Sequence, residues 1–462
     1  MKKRSMRLMG LSMAAAMTMG MAGGALAEST VRLGIWPEDT LTDEITMHEG
    51  FLEKMKEIDP DVTFEPAYYK YATDTFASMV EAGTVPTIFE TWFTEPQKLI
   101  KQGMVADITD ELKERGWIDD MNPAILSLLS DENGRVYGIP RDAYALGLMI
   151  NADLFTQAGL VDDAGVPIFP KTWDELAESA KKIKEATGAA GLCLLAKDNA
   201  GGWHFSNIAW AFGATLVTDN GDGTYTANLN SDEAIAAMEY VRSLKYDYDV
   251  LTADPTSEDW GTGFTQLATG GAAMYIAAND AVNQPTAGNG LPLENLAFCA
   301  IPEGPGGQYS LSGGTPYMFS KDATPEEINA ALDYVEVMGK SPEVTDEAIA
   351  GLEADAQYRL EAGIPVIKRF PCWINQDFLD AEAKVIEENT NVDPAMYQSY
   401  FDAVSTDGIR TEEPGQTQDM YAELTKVLQA VLTDENADVT SLMNTANDNY
   451  QKILDNPEEA AE

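Results

Sequence analysis

Histidine is nearly missing. The 462 residues contain two, His48 and His204. They share no metal-ligand spacing with each other or with the cysteines, so nothing points to a zinc centre. A Ser/His/Asp triad would have to be built on one of these two. A phosphate-cradling Walker loop, a dinucleotide glycine fingerprint and a G-x-S-x-G elbow are also absent. Ser312-Gly313-Gly314 comes nearest to a nucleophile loop, but no histidine is suitably placed for it. No cofactor or metal is called for. Positive charge is scarce too: 30 Lys and Arg stand against 76 Asp and Glu, for a formal charge of −46. Such a chain repels nucleic acid and anionic lipid surfaces. The same abundance makes any single carboxylate weak evidence. A glycosidase needs only two, and here two could be found anywhere.

Cysteine is rare. Cys193 and Cys299 sit in the apolar runs "GLCLLA" and "LAFCAI", where a thiol behaves as a small hydrophobe. With Cys372 the count is odd, so at least one lies outside any intrachain pair. Buried thiols are the favoured reading, and one disulfide stays open. Long apolar runs are confined to the N-terminus. Residues 1–27 place Lys2, Lys3, Arg4 and Arg7 before an apolar stretch that ends in Ala25-Leu26-Ala27. That is the layout of a secretory leader cleaved after Ala27. No cysteine lies near that point to carry a lipid. The expectation is an exported chain, periplasmic or extracellular, with a formal charge of −50 once the four basic leader residues are gone.

What is present reads as two lobes of α/β type, since a chain of this length exceeds what one core usually supports. "VRLGIW" is a strand that stops at Pro37. Apolar positions at helical spacing follow from about Thr42 to Ile58. Then come the strand "DVTFEPAYY", the helix "TDTFASMVEAGT" and the strand "VPTIFETW". This alternation predicts a parallel sheet covered by helices. Thr172 with Glu175, and Thr324 with Glu327, predict helix capping boxes, and Gly188 predicts a helix end. "VTDNGDGTYTANL" predicts a hairpin and not a calcium loop, because the terminal Glu of such a loop is missing. After about Lys340 the pattern is mostly helical.

Aromatic residues recur at strand ends and in loops, often beside polar ones. Trp36 neighbours Glu38 and Asp39. Trp92 neighbours Glu90. Tyr144 follows Arg141 and Asp142, and Trp203 precedes Asn207. A sugar has apolar faces for flat rings and hydroxyls for polar side chains, and mixed pockets of this kind are common small-molecule sites. Trp36 and Trp92 lie where strands run out, the edge at which open α/β sheets bind ligands. Trp260 reads instead as packing.

The order of motifs resembles a known family. "VRLGIWPED", "VPTIFETWFTEPQKLIKQGMVADIT", "NGRVYGIPRDAYALGLMINADLFTQAGL", "KTWDELAESAKKI", "FTQLATGGAAMYIAANDA" and "SLSGGTPYMFSKDATPEEINAALDYV" together resemble the family 1 extracellular solute-binding proteins of ABC importers, in the sugar-binding, maltose-binding-protein-like group. The resemblance covers essentially the whole chain after the leader. It implies an α/β, two-lobed periplasmic-binding-protein-like fold with three inter-lobe crossings and a helical C-terminal region. The implied division is residues 28–142 in lobe 1, 143–296 in lobe 2, 297–342 back in lobe 1, and 343–462 in lobe 2. It also places Arg141, Asp142 and Tyr144 at the cleft, with Gly314 and Tyr317 on its floor and Trp36, Trp92, Trp203 and Tyr421 as stacking rings. Asn279 and Asp280 fall where relatives often carry another aromatic, and Trp373 could reach the cleft from a lengthened region. The implied function is capture of a sugar or oligosaccharide and delivery to an ABC permease by a monomer that binds no nucleic acid and catalyses nothing. The alternatives left open are a carbohydrate-active enzyme using paired carboxylates, and a binding protein of the same fold for a polyamine or peptide.

Overall fold

In the computed structural model, residues 29–456 are described, apart from Asp74 and residues 405–407. The expected leader lies outside them. The strands are β1 (Ser29–Leu33), β2 (Val62–Pro66), β3 (Ile88–Glu90), β4 (Gly138–Asn151), β5 (Ala190–Cys193), β6 (Val217–Asp219), β7 (Tyr225–Ala227), β8 (Ala272–Ala278), β9 (Leu296–Cys299), β10 (Ser310–Phe319) and β11 (Ile409–Thr411). Nine of them join in one sheet, ordered β2-β1-β3-β10-β4-β8-β5, with β11 beside β10 and β9 beside β4. The expected hairpin is β6–β7. Its Asp219 and Asp222 carboxylates accept from the turn amides of Gly221 and Thr224.

The expected parallel pairing holds at the N-terminal end, where β1 runs parallel to both β2 and β3. It fails in the middle, where β10 is antiparallel to β3 and β4. The reason is direction: β4 carries the chain out of the first lobe and β10 brings it back. β4 changes partner along its length. Gly138–Ala145 pairs with β10, and Leu146–Asn151 pairs with β8 and β9. In the second lobe alternate residues feed opposite cores. Met149 and Tyr275 face one, while Leu148, Ile150, Met274 and Ile276 face the other. Burial of both faces explains why these strands read as continuous apolar runs.

Local signals set the helix ends. The helix Pro325–Val337 begins with the expected reciprocal capping box of Thr324 and Glu327. In the helix Trp173–Thr187, Thr172 caps Glu175 as expected, but the Glu175 carboxylate takes the Lys171 amide instead of the Thr172 amide. Gly188 closes that helix in the left-handed region, at φ 78°. The three cysteines are free thiols.

The lobe division differs from the expected one in two places. β9 still pairs with the second-lobe half of β4, so the chain returns to the first lobe after Cys299 and not at residue 297. Residues 343–389 do not join the second lobe. The helix Asp346–Ala362 packs on Pro325–Val337 and on the helix Gln376–Asn389, and Trp373 meets Trp117 of the first lobe. Among the described residues, Pro394–Met396 and the helix Gln398–Val404 pack on β9, and the helices Thr417–Thr433 and Val439–Asp455 pack on second-lobe helices, Ala200–Ala211 and Asp232–Tyr246. A helical pattern specifies an apolar face but not which lobe supplies its partner.

Candidate functional site

A cavity of about 550 Å³ opens where the two lobes meet. Its base is the region where β10, β4 and β8 adjoin. Tyr144 lies against the bare backbone of Gly313: a side chain there would put its first carbon 2.3 Å from the Tyr144 hydroxyl. Two buried amides hold this junction from behind. Asn279 Oδ1 accepts from the Ala145 amide at 3.0 Å, and Asn207 Oδ1 accepts from the Leu311 amide at 2.9 Å. Both side chains are consumed in the backbone, so neither of these expected ligand residues faces the cavity.

The second lobe supplies a wall of interlocked rings. Trp203, on the helix Ala200–Ala211, stands edge-on to Tyr144 at 6.2 Å and to Trp260 at 5.4 Å. Trp260 was expected to be packing alone. It does pack, on Phe264 and Tyr275, yet it also lines the cavity. The capping box of Asp259 and Thr262 fixes it at the start of its helix. The Tyr275 hydroxyl also donates to its carbonyl at 3.1 Å. Behind the wall lies His204, fully buried, with neither ring nitrogen hydrogen-bonded. Burial holds its pKa down at about 3, so it is neutral. The Trp203 helix meets the helix Thr417–Thr433 at Gly202, where an added side-chain carbon would sit 2.4 Å from the Tyr421 Cα. That close approach brings Tyr421 into the wall.

The first lobe supplies Trp92 and a set of charges. Trp92 is 46% exposed, and its ring contact is an edge-on one with Tyr71. Arg141 is clamped between two carboxylates, Glu90 at 2.9 Å and Asp142 at 2.6 Å. Burial works against the guanidinium charge, but Asp142 and Glu90 outweigh it and raise its pKa. Glu90 stands behind Arg141 and does not line the cavity. Two further carboxyls face in. Asp280 is squeezed by the cleft walls and then by Asp142, which together push it up to about 6. Glu412 is pushed up to about 7 by burial, against the opposing hydrogen bond from the Tyr421 hydroxyl at 3.1 Å.

Of the residues expected at the site, the cavity brings together Trp92, Arg141, Asp142, Tyr144, Trp203, Asp280, Gly314 and Tyr421. Others lie elsewhere. Trp36 turns onto His48 at 5.4 Å, and Glu38 and Asp39 are exposed on the loop beyond it. Tyr317 is 1% exposed in the first-lobe core. Trp373 is buried, with its indole N–H donating to the Lys340 carbonyl. Thr94, Asn199, Thr315, Glu412 and Gln418 line the cavity unforeseen. Only Gln418, one helical turn from Tyr421, had a signal that spacing could have used. Among the described residues no group of three or more His, Cys, Asp or Glu could hold a metal ion.

Comparison with known proteins agrees with this architecture. A family model described as bacterial extracellular solute-binding protein matches residues 39–343. A putative binding protein of Brucella abortus (strain 2308) is 27% identical over 288 residues, which is 60% of this chain and 65% of that protein. The diacetylchitobiose binding protein DasA of Streptomyces coelicolor is 25% identical over 251 residues, 53% of each chain. These matches thus span less than two thirds of the curated relatives. Among solved structures, the cyclic alpha-maltosyl-1,6-maltose binding protein of Arthrobacter globiformis superposes with a TM-score of 0.67 at 20% identity, covering 93% of this chain and 98% of that one. At that identity the likeness speaks for the fold.

Proposed function

From membership of the bacterial extracellular solute-binding protein family, to which the chain belongs, we propose that it captures a sugar or oligosaccharide in the cavity between its lobes and delivers it, chemically unchanged, to an ABC importer. The observation that carries this reading is the cavity lining: tryptophan and tyrosine rings alternate with amide, hydroxyl and charged groups. Rings cover the apolar faces of a pyranose, and Asn199, Gln418, Thr94 and Arg141 can take its hydroxyls. The volume lies within the ~300–1,000 Å³ usual for small-molecule sites. Two of the relatives bear names of oligosaccharide binders.

Because the rings come mainly from one lobe and Trp92 and Arg141 from the other, a ligand touches all of them only when the lobes close. We place the hinge at the partner change in β4, between Cys299 and β10, and around β11. A ligand that prefers the closed form shifts the equilibrium by its difference in affinity for the two forms. The closed monomer would then dock on the permease. A thermal-shift screen against mono- and oligosaccharides, polyamines and peptides tests the reading. A sugar at a hundredfold its Kd is expected to stabilise by about 2.7 kcal/mol. No shift with any sugar, or release of products from one, would count against it. Small-angle scattering is expected to give a smaller radius of gyration at saturation, and an unchanged radius would remove the closure step.

A further inference from the structure

The hairpin β6–β7 stands apart from the nine-stranded sheet, and none of its residues lines the cavity. It is nevertheless mounted firmly on the second lobe. Gln451, on the helix Val439–Asp455, accepts from the Ala227 amide at 2.8 Å and donates to the Tyr225 carbonyl at 3.2 Å. The Tyr225 ring lies against the bare backbone of Gly415, where an added side-chain carbon would sit 3.5 Å away.

Across from it the first lobe presents the helix Pro96–Lys101. Leu99 and Ile100 bury that helix in the first-lobe core. Gln97 ties it down by donating to the Leu128 and Ser130 carbonyls at 2.8 and 2.9 Å. Its last residue crosses to the hairpin. The Lys101 ammonium donates to the Tyr225 hydroxyl and lies 4.0 Å from the Asp219 carboxylate. Lys98, three residues earlier and so on the same helix face, is felt by Asp419 at the start of the helix Thr417–Thr433. Two of the chain's 30 basic residues thus face acidic groups of the other lobe.

Each end of the Lys101 contact is fixed to a different lobe, so a hinge motion must stretch or break it. We propose that Lys101, Tyr225 and Asp219 form a clasp between the lobes, separate from the ligand cavity, that holds the empty molecule at the lobe angle seen here. The Lys101 and Asp219 side chains are 45% and 47% exposed, so water and salt screen the pair. Its effect on the ratio of clasped to unclasped molecules is therefore modest, about twofold to fivefold. A term of that size still matters, because the fraction of molecules in the binding-competent arrangement enters the apparent affinity directly. The clasp acts whatever the cleft holds.

The test reads the lobe angle of the empty protein, with no ligand added. Glu114→Cys in the first lobe and Glu185→Cys in the second are exposed positions for spin labels. A Cys372→Ala background leaves only the buried Cys193 and Cys299 besides them. Double electron–electron resonance then gives the inter-lobe distance distribution. Lys101→Met is expected to lower the ratio of the native distance to other distances by about twofold to fivefold. Tyr225→Phe combined with Asp219→Asn is expected to do the same. Lys101→Arg keeps the charge and is expected to keep the native distribution. Melting temperatures verify folding throughout. Superimposable distributions for the native chain and Lys101→Met overturn the clasp. A change in Lys101→Met that Lys101→Arg fails to restore, or that the hairpin double variant fails to reproduce, overturns it as well, since the effect would then belong to the helix end.

Discussion

The two walls of the cavity are built on opposite plans. On the second-lobe side each ring braces another: Tyr144 on Trp203, Trp203 on Trp260, and Trp260 on Phe264 and Tyr275. On the first-lobe side one half-exposed ring, Trp92, stands beside an ion-paired arginine. The braced wall has already lost its side-chain freedom, so a ligand need not order it. The other wall still has entropy to lose. Under the capture reading proposed above, ligand would settle on the second lobe first and the first lobe would then swing over it.

The contrast breaks most visibly at the braced wall. Trp203→Ala is expected to weaken binding by about 2–3 kcal/mol, on the order of a hundredfold. Trp260→Ala should come close to it, because each ring holds the other. The double variant should cost less than the sum, since ring neighbours couple. Calorimetry on the three proteins decides this, and native affinity in Trp260→Ala would return that residue to a packing role.

A smaller loss is expected across the cleft. Trp92→Ala removes an exposed ring with one aromatic neighbour, so about 1 kcal/mol of affinity should go with little change in melting temperature. A loss matching that of Trp203→Ala would show the walls to be equivalent.

The smallest effect on affinity belongs to the residue behind the wall. His204 is held neutral at a pKa of about 3, and His48 at about 4, both by burial. An unfolded histidine protonates near ~6.5, so each stabilises the fold above that pH and loses that contribution as pH falls toward the folded value, at about 1.4 kcal/mol per unit. Asp280 and Glu412 act in the opposite sense. Their raised values make the empty protein gain stability as pH falls through about 7 and about 6. His204→Phe should therefore flatten the acid limb of the stability curve. It should also raise stability at neutral pH by about 1–2 kcal/mol by removing two unpaired buried nitrogens. Urea titrations between pH 4 and 8 measure both, and an unaltered acid limb would assign the loss to other groups.

Much of the scaffold was legible in the sequence because its signals are local. The helix Thr42–Ile58 follows from apolar spacing, the turn of β6–β7 from its glycines, and the start of Pro325–Val337 from Thr324 and Glu327. The site was legible only in part. Trp36 and Tyr317 sit near strand ends as the cavity residues do, but a one-residue step moves a side chain to the other face of a strand. Sequence alone did not say that they turn into the first-lobe core. Glu412 gave no signal, being one acid among 76 in the Asp and Glu total. Its importance comes from β11 pairing beside β10, a contact about a hundred residues distant in the chain. Residues 343–389 went to the wrong lobe for a related reason: amphipathic helices advertise a face and not an address.

The single sheet threaded by both lobes also governs when the molecule can come into being. β3 and β10 are neighbours, yet more than two hundred residues of chain separate them. Gly202 meets the Tyr421 backbone only after a comparable wait. A ribosome must therefore finish most of the message before either lobe can be completed, since contacts so remote in sequence form slowly. For a member of an extracellular family that delay has a use. If the chain crosses a membrane unfolded, as the leader layout of residues 1–27 leads one to expect, a nascent chain that cannot yet close on itself would stay loose enough to be threaded through.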